Sequence, residues 1–264
     1  GILNLMPLKE TTETHLIRML SNTPLQVEIV LLYTKTHTPK HTSIEHLQSF
    51  YKSFDDIEHK KLDGLIITGA PIEHLPFEQV LYWNELTKIL DWADSHVTST
   101  LHICWGAQAA LYHYYGIQKF ELAEKLFGIF THTVHDKTEP LVRGFDDEFL
   151  APHSRFTYTR REDIIACEDL FLVSESQEAG VYIAASKNKK HVFVTGHSEY
   201  DPLTLREEYM RDLQKGENIA IPKNYFPLDD PKQTPKHRWK SHGNLLFGNW
   251  LNYYVYQETP FKLE

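Results

Sequence analysis

The chain has 264 residues, 41% of them apolar and 24% charged, with a formal net charge of −9. That is enough chain for one large α/β unit with a buried core. The negative balance speaks against a broad nucleic-acid or anionic-membrane surface, and no apolar run nears the roughly 18 residues of a bilayer span.

Taken in order, Ile2–Leu5 reads as a short buried strand closed by Pro7. The opening "GILNLMP" lies inside that strand and has no initiator Met, so an N-terminal stretch of the natural chain is expected to be missing. Thr11–Leu20 reads as a helix, with Thr12 as its cap and Leu16, Ile17 and Leu20 as its apolar stripe. Val27–Tyr33 is a second strand and Ser43–Phe50 a second helix. Leu62–Ile67 is a third strand that runs into the turn "TGAP". Glu78–Ser95 follows as a long amphipathic helix carrying Val80, Leu81, Trp83, Leu86, Ile89 and Trp92. Thr98–Ile103 is a fourth strand; Cys104 stands at its end, and a helix-forming run spans Ala107 to Tyr115. Such alternation predicts a parallel sheet with helices on both faces, whose ligands collect at the carboxyl ends of strands.

The second half is less regular. Phe171–Ser174, Gly180–Ser186 and His191–Thr195 read as strands, with "SKNKK" (186–190) as a hairpin turn. Thr204–Lys215 is a helix, 216–235 a long loop, and Leu245–Tyr256 an aromatic-rich final helix. With no repeat, low-complexity segment or linker, residues 1–264 read as one domain. Two cysteines, Cys104 and Cys167, make no disulfide framework. With no signal-peptide pattern, the expectation is a cytoplasmic protein with reduced thiols.

Cys104 lies in "HICWGAQAA", where a strand stops and a helix starts. A helix N-terminus favours a thiolate and offers free N–H groups to an oxyanion. Gly106 and Ala107 let the helix approach the strand closely. A buried core cysteine fits that position equally well; Cys167, in "IIACEDL", reads as structural. In "FVTGHSEYD", His197 likewise follows a strand, and Glu199 stands two residues on, where it could hold the imidazole in one tautomer. A surface histidine near a solvated glutamate is the alternative there.

Together these segments resemble the class I glutamine amidotransferase-like superfamily, and more closely the homoserine O-acyltransferase family of methionine biosynthesis. The resemblance runs along nearly the whole chain, through "ILNLMP", "SNTPLQVEIVLL", "DGLIITGAP", "VTSTLHICWGAQAALYHYYGI", "EKLFGIF", "RGFDDEFLAPHSR", "FVTGHSEYD", "KNYFPLDDP" and "SHGNLLFGNWLNYYVYQ". It implies a flavodoxin-like α/β sheet, a Cys104–His197–Glu199 triad and a homodimer. It also implies acyl transfer from acyl-CoA to the γ-hydroxyl of L-homoserine through an acyl-cysteine, with no bound cofactor or metal. The N–H of Trp105 and that of Gly69 or Ala70 are the candidate oxyanion donors. The family's substrate contacts fall on Lys125, Ser154 and Arg211, and another position often basic in it falls on Lys9. A glycine at position 73 goes with succinyl transfer and a glutamate with acetyl transfer; here Glu73 stands in "TGAPIE", so acetyl-CoA is the expected donor.

Other features carry less. "HTPKH" (37–41) and "THTVH" (131–135) lack carboxylate or thiol partners at metal spacing, and no GxGxxG or P-loop pattern is present. The basic run "KQTPKHRWK" (232–240) reads as a solvated loop or as a perch for CoA phosphates. Glutamine amidotransferases read "GxCxGxQ", where this chain has "HICWGAQ"; that activity, or succinyl-CoA as donor, is the alternative reading.

Overall fold

The structure is a computed structural model and describes residues 1–36 and 42–260. The first strands and helices are β1 (Ile2–Leu3), α1 (Lys9–Leu20), β2 (Leu31–Leu32), α2 (Ile44–Phe50), β3 (Tyr51–Lys52) and β4 (Leu62–Ile67). Then come α3 (Trp83–His96), β5 (Val97–Ile103), α4 (Trp105–Tyr115), β6 (Lys119–Val134), β7 (Glu148–Thr159) and α5 (Arg161–Ala166). The chain closes with β8 (Leu170–Ser176), β9 (Gly180–Ser186), β10 (His191–Val194), α6 (Thr204–Gln214) and α7 (Lys240–Asn249). Among the described residues the strands form one sheet in the order β3-β2-β1-β4-β5-β10-β9-β8-β6-β7. From β3 to β10 every pairing is parallel, and from β10 to β7 every pairing is antiparallel.

Alternation along the strands splits the core in two. Leu3, Leu65, Ile67 and Phe193 pack under α3 and α4 with Leu86, Ile89 and Ala110. Ile2, Ile66, Leu101, Ile103 and Val194 pack on the other face with Leu16 and Met19 of α1 and Leu246 and Phe247 of α7. Helices therefore cover both faces, as the alternating pattern predicts.

Several boundaries differ from the sequence reading. Helix α1 starts at Lys9, and Thr12 sits inside it, its hydroxyl on the Leu8 carbonyl. Only Leu31 and Leu32 of the expected second strand join the ladder. Instead of one helix from residue 78, a 3₁₀ turn (Phe77–Gln79) precedes α3, and Val80 is extended between them. The buried Phe77 ring stacks on Trp83 and Tyr112, which fixes that break. The last helix begins at Lys240, and its end, Trp250–Tyr256, widens into a π-helix. The largest addition is the antiparallel ribbon of β6 and β7, where the apolar pattern singles out no strand. Gly128 in β6 has φ +145°, and a Cβ there would lie 2.3 Å from the Lys223 carbonyl oxygen. This close approach lets Lys223 bond the Phe127 carbonyl and the Ile129 N–H, anchoring the long loop beyond α6 to the ribbon.

The ribbon also buries a histidine pair, His132 and His153, whose Nε2 atoms lie 2.9 Å apart. Burial pushes His132 down to about 3 and His153 well below the ordinary value of a histidine. Both stay neutral in the folded chain, while unfolded histidines take up protons below pH ~6.5. Their contribution to stability is thus complete above pH ~6.5 and lost as pH falls from there toward the folded value. Urea midpoints should fall over this acid range, and less steeply for His132→Gln/His153→Gln. An unchanged slope in that variant would remove the pair as the cause.

Gly106, one residue into α4, gives a second test. A Cβ there would meet the Thr68 carbonyl oxygen at 2.6 Å, whereas one on Gly248 of α7 meets nothing within 4 Å. Gly106→Ala should destabilise by about 1–3 kcal/mol through overpacking, and Gly248→Ala should stabilise by up to about 1 kcal/mol. Chemical denaturation reads both; a Gly106→Ala protein as stable as the parent would show that α4 does not depend on this close approach.

Candidate active site

The parallel register places the candidate groups side by side. Ile103 of β5 pairs with Val194 of β10, and His102 with Ile67 of β4. The next residues on these strands, Thr68, Cys104 and Thr195, therefore leave the sheet together at its carboxyl edge. Cys104 N–H donates to the Val194 carbonyl at 2.7 Å. The residue has φ 51° and ψ −118°, in the left-handed half of the map, and stands at the N-cap of α4. This conformation is unfavourable for a side chain with a Cβ and is held by the strand before it and the helix after it. The thiol is buried against the helix N-terminus.

His197 follows β10 by three residues. Its N–H donates to the Pro152 carbonyl of β7 at 2.9 Å, and its ring stacks on Tyr200 at 4.3 Å. Nδ1 lies 2.7 Å from Glu199 Oε1, which leaves Nε2 to serve the Cys104 sulfur, whose charge acts on the ring. Burial alone would lower its pKa. The charges of Cys104 and Glu199 outweigh burial and raise it well above the usual histidine range. Glu199 is buried, and its carbonyl accepts from Arg18 at 2.8 Å. The structure thus brings Cys104, His197 and Glu199 into one chain of contacts.

Gly69 packs directly on the Cys104 turn: a Cβ there would sit 3.2 Å from Cys104 Cβ and 3.6 Å from the Trp105 nitrogen. Ala70 is buried beside it, with its carbonyl bonded to the Ile72 N–H. Trp105 opens α4, where a helix leaves its N–H groups free of internal partners. Glu73 is 8% exposed, so it is no surface glutamate. Its Oε1 lies 3.9 Å from Cys104 Sγ, and its Oε2 accepts from the Phe156 N–H at 3.1 Å. Burial raises its pKa. His74 beside it is exposed and faces Glu121.

Lys125, Ser154 and Arg211 also converge, around two acids that the sequence reading passed over. Lys125 Nζ is 3.1 Å from Asp212 and 3.7 Å from Glu208, and lies 4.1 Å from the Phe127 ring centroid. Ser154 Oγ donates to Glu208 at 2.5 Å. Arg211, half exposed, directs Nε and Nη2 at Asp212, both at 2.7 Å. Burial alone would raise the Asp212 pKa; its bonds to Arg211 and Lys125 lower it instead. Tyr200 joins this cluster to the triad, donating to Glu208 at 2.8 Å while stacking on His197. The available signal was spacing: Glu208, Arg211 and Asp212 stand at i, i+3 and i+4 on one helix.

Arg155 was also passed over. It is 2% exposed and donates to the carbonyls of Thr157 at 2.9 Å and Ala179 at 2.5 Å. Burial pushes it down to about 10, against the opposing charges of Cys104 and Glu73. Lys9 is buried by the exit of β1, donating to the Asn4 carbonyl, and burial lowers it to about 8.

Among the described residues no group of three or more histidine, cysteine, aspartate or glutamate side chains could hold a metal ion. Within "THTVH", His132 pairs with His153, and His135 pairs with Glu175. "HTPKH" lies outside the described residues. No described helix is long and apolar enough to cross a membrane.

A sequence profile of the homoserine O-succinyltransferase family matches residues 1–261. A protein of Brevibacillus brevis named homoserine O-acetyltransferase is 62% identical over 262 residues, 99% of this chain and 86% of its own length. One of Acetivibrio thermocellus with the same name is 62% identical over 263 residues, 100% of this chain and 86% of its own. Glutamine amidotransferases of Methylobacillus flagellatus and Thermotoga maritima superpose with a TM-score of 0.56 each at 12% identity. The superpositions cover 86% of this chain and 95% and 98% of theirs, and they share the fold.

The Cys104–His197 contact makes a prediction. Iodoacetamide should label Cys104 at pH 7, because His197 beside the sulfur can act as its base. His197→Ala should slow labelling by about tenfold or more, and Glu199→Gln by less, since the ring keeps its place. Equal labelling rates in all three proteins would show that the sulfur does not depend on His197.

Proposed function

The chain belongs to the homoserine O-succinyltransferase family, and on that premise we propose that it is a homoserine O-acetyltransferase working through an acyl-cysteine at Cys104. The enzyme moves an acyl group from a CoA thioester to the γ-hydroxyl of L-homoserine. The Cys104 thiolate attacks the thioester carbonyl, with His197 as imidazolium beside it and Glu199 orienting the ring. The tetrahedral oxyanion is held by the Trp105 N–H and by Gly69, whose backbone lies against the nucleophile turn; Ala70 is the alternative second donor. One such donor is worth about 3 kcal/mol in the transition state. The intermediate collapses, the C–S bond to CoA breaks, and the leaving thiolate takes the His197 proton.

Homoserine then binds at the cluster under Tyr200. Its α-carboxylate needs cations, and Lys125 and Arg211 are there. Its α-ammonium needs an acceptor, and Glu208 and Asp212 are there. The family resemblance puts Arg211 at the substrate, but its Nε and Nη2 already serve Asp212. The Nη1 side is left for substrate. Ser154 fixes Glu208. His197 Nε2 takes the γ-hydroxyl proton, the oxygen attacks the acyl carbon, and Cys104 leaves as thiolate. As part of the same reading the enzyme is a cytoplasmic homodimer without a bound cofactor.

The observation that carries the choice of acetyl is the place of Glu73, buried and 3.9 Å from the attacking sulfur. An acyl group on Cys104 must grow past this carboxyl. An acetyl group fits beside it. A succinyl group would bring a second carboxylate into the same desolvated space, and like charges so placed cost on the order of several kcal/mol. The Glu73 side chain also fills the room a longer acyl chain needs.

Steady-state rates with acetyl-CoA and succinyl-CoA test this. The unmodified enzyme should prefer acetyl-CoA in kcat/KM by about a hundredfold or more. Glu73→Gly should shift the ratio toward succinyl-CoA by at least about tenfold. Equal use of both donors by the unmodified enzyme, or an unmoved ratio in the variant, would overturn the donor assignment.

A further inference from the structure

The segment "KNYFPLDDP" and the basic run after it take no part in the chemistry above, yet the fold builds them into one feature. Asn224, Tyr225, Phe226 and the following turn line an open groove of about 590 Å³, closed on its other side by Lys236 and Arg238 and floored by Thr131 of β6 and Leu150 of β7. Three residues of the wall, Asn224, Leu228 and Asp229, have positive φ. The wall is held by the Lys223 bonds to β6 and by Arg238, which donates to the Asn224 carbonyl. Pro235 and Trp239 are buried anchors, so the intervening Lys236 and Arg238, two residues apart, are both turned to solvent.

The charge is out of keeping with the rest of the chain. The net charge is −9, but residues 232–240 hold Lys232, Lys236, Arg238 and Lys240 and no acid. Asp229 is the one acid lining the groove. An acidic protein that takes a substrate with several phosphates must gather cations where those phosphates lie.

Position links the groove to the site. Thr131 pairs with Leu150, Ile129 with Pro152 and Phe127 with Ser154. Residues two apart share a face of the ribbon, so the groove floor and the Phe127–Ser154 end of the homoserine cluster lie on one face. Ser154 stands four positions beyond Leu150, roughly 13 Å of strand. Pro152, midway, bonds the His197 N–H. Ile129 and Pro152, between groove and cluster, are buried, Ile129 beneath Tyr225, Phe226 and Trp239, so a donor with its thioester at Cys104 would reach the groove by passing its long flexible arm over the outside of that cover.

The geometry points to this groove as the docking site for the phosphate-bearing nucleotide end of the acyl-CoA donor, with Lys236 and Arg238 as its phosphate contacts. The inference rests on the acyltransferase reading for the identity of the donor. Arg238 offers a planar fork to a phosphate and Lys236 a mobile point charge.

Three probes separate the possibilities: acetyl-CoA, acetyl-pantetheine (the same thioester without the nucleotide phosphates) and adenosine 3′,5′-bisphosphate. Lys236→Glu, which leaves Arg238 on its carbonyl, and Lys236→Glu/Arg238→Lys should raise the acetyl-CoA KM by about tenfold or more. The KM values for acetyl-pantetheine and homoserine should stay put. Calorimetry should show the bisphosphate binding the unmodified protein and binding the variants about tenfold more weakly. An unchanged acetyl-CoA KM, an equal loss with both donors, or bisphosphate binding that is absent or indifferent to the substitutions would overturn the groove assignment. A protein that binds the bisphosphate as expected but transfers acetyl from neither donor would keep the groove and contradict the acyltransferase reading instead.

Discussion

The site depends on one backbone constraint, the turn at Cys104. The residue is held at positive φ between a strand and a helix, and this conformation turns the thiol out of the sheet while aiming the first N–H groups of α4 at the same space. The turn closes only because α4 can press against the end of β4, where Gly106 leaves room for the Thr68 carbonyl. Each further element of the site is referred to this point. The parallel register brings His197 to it from β10, and the loop after β4 brings Gly69 and Glu73.

Around the turn, charge is arranged in two layers. Near the sulfur stand Glu199 and Glu73, both buried, with the buried Arg155 opposite. Buried charges are tolerable only when each is bonded or compensated: Glu73 accepts a backbone N–H, Glu199 holds the imidazole, and Arg155 donates to two carbonyls. Farther out, Lys125 and Arg211 are balanced by Glu208 and Asp212, a cluster that is neutral as a whole and matches a zwitterionic amino acid. Tyr200 spans the two layers, so a substrate that displaces Glu208 acts on the ring packed against His197.

Much of this was legible in the sequence, and the reason is local. A strand that ends in a cysteine and a helix, or in "GHSE", writes its chemistry into a few adjacent residues, and the parallel frame then places strand ends together. The ribbon of β6 and β7 was not legible. The first half of β6 mixes half-buried and exposed residues without alternation and is bulged between Glu121 and Leu126, so its apolar residues do not follow the pattern of a half-buried strand. Glu208 and Asp212 were missed for a related reason: on a helix they read as a solvated face, and only the packing of α6 against the ribbon turns them inward. Glu73 was legible through family resemblance alone; the structure adds its burial and its closeness to the sulfur.

On the proposed mechanism the acyl group passes through Cys104. Intact-protein mass spectrometry after mixing with acetyl-CoA, without homoserine, tests it most directly. The protein should gain one acetyl group, located on the peptide containing Cys104, absent from Cys104→Ser and discharged when homoserine is added. Acetyl transfer to homoserine at an undiminished rate by Cys104→Ser, or an acetyl adduct on another residue that homoserine discharges, would contradict it.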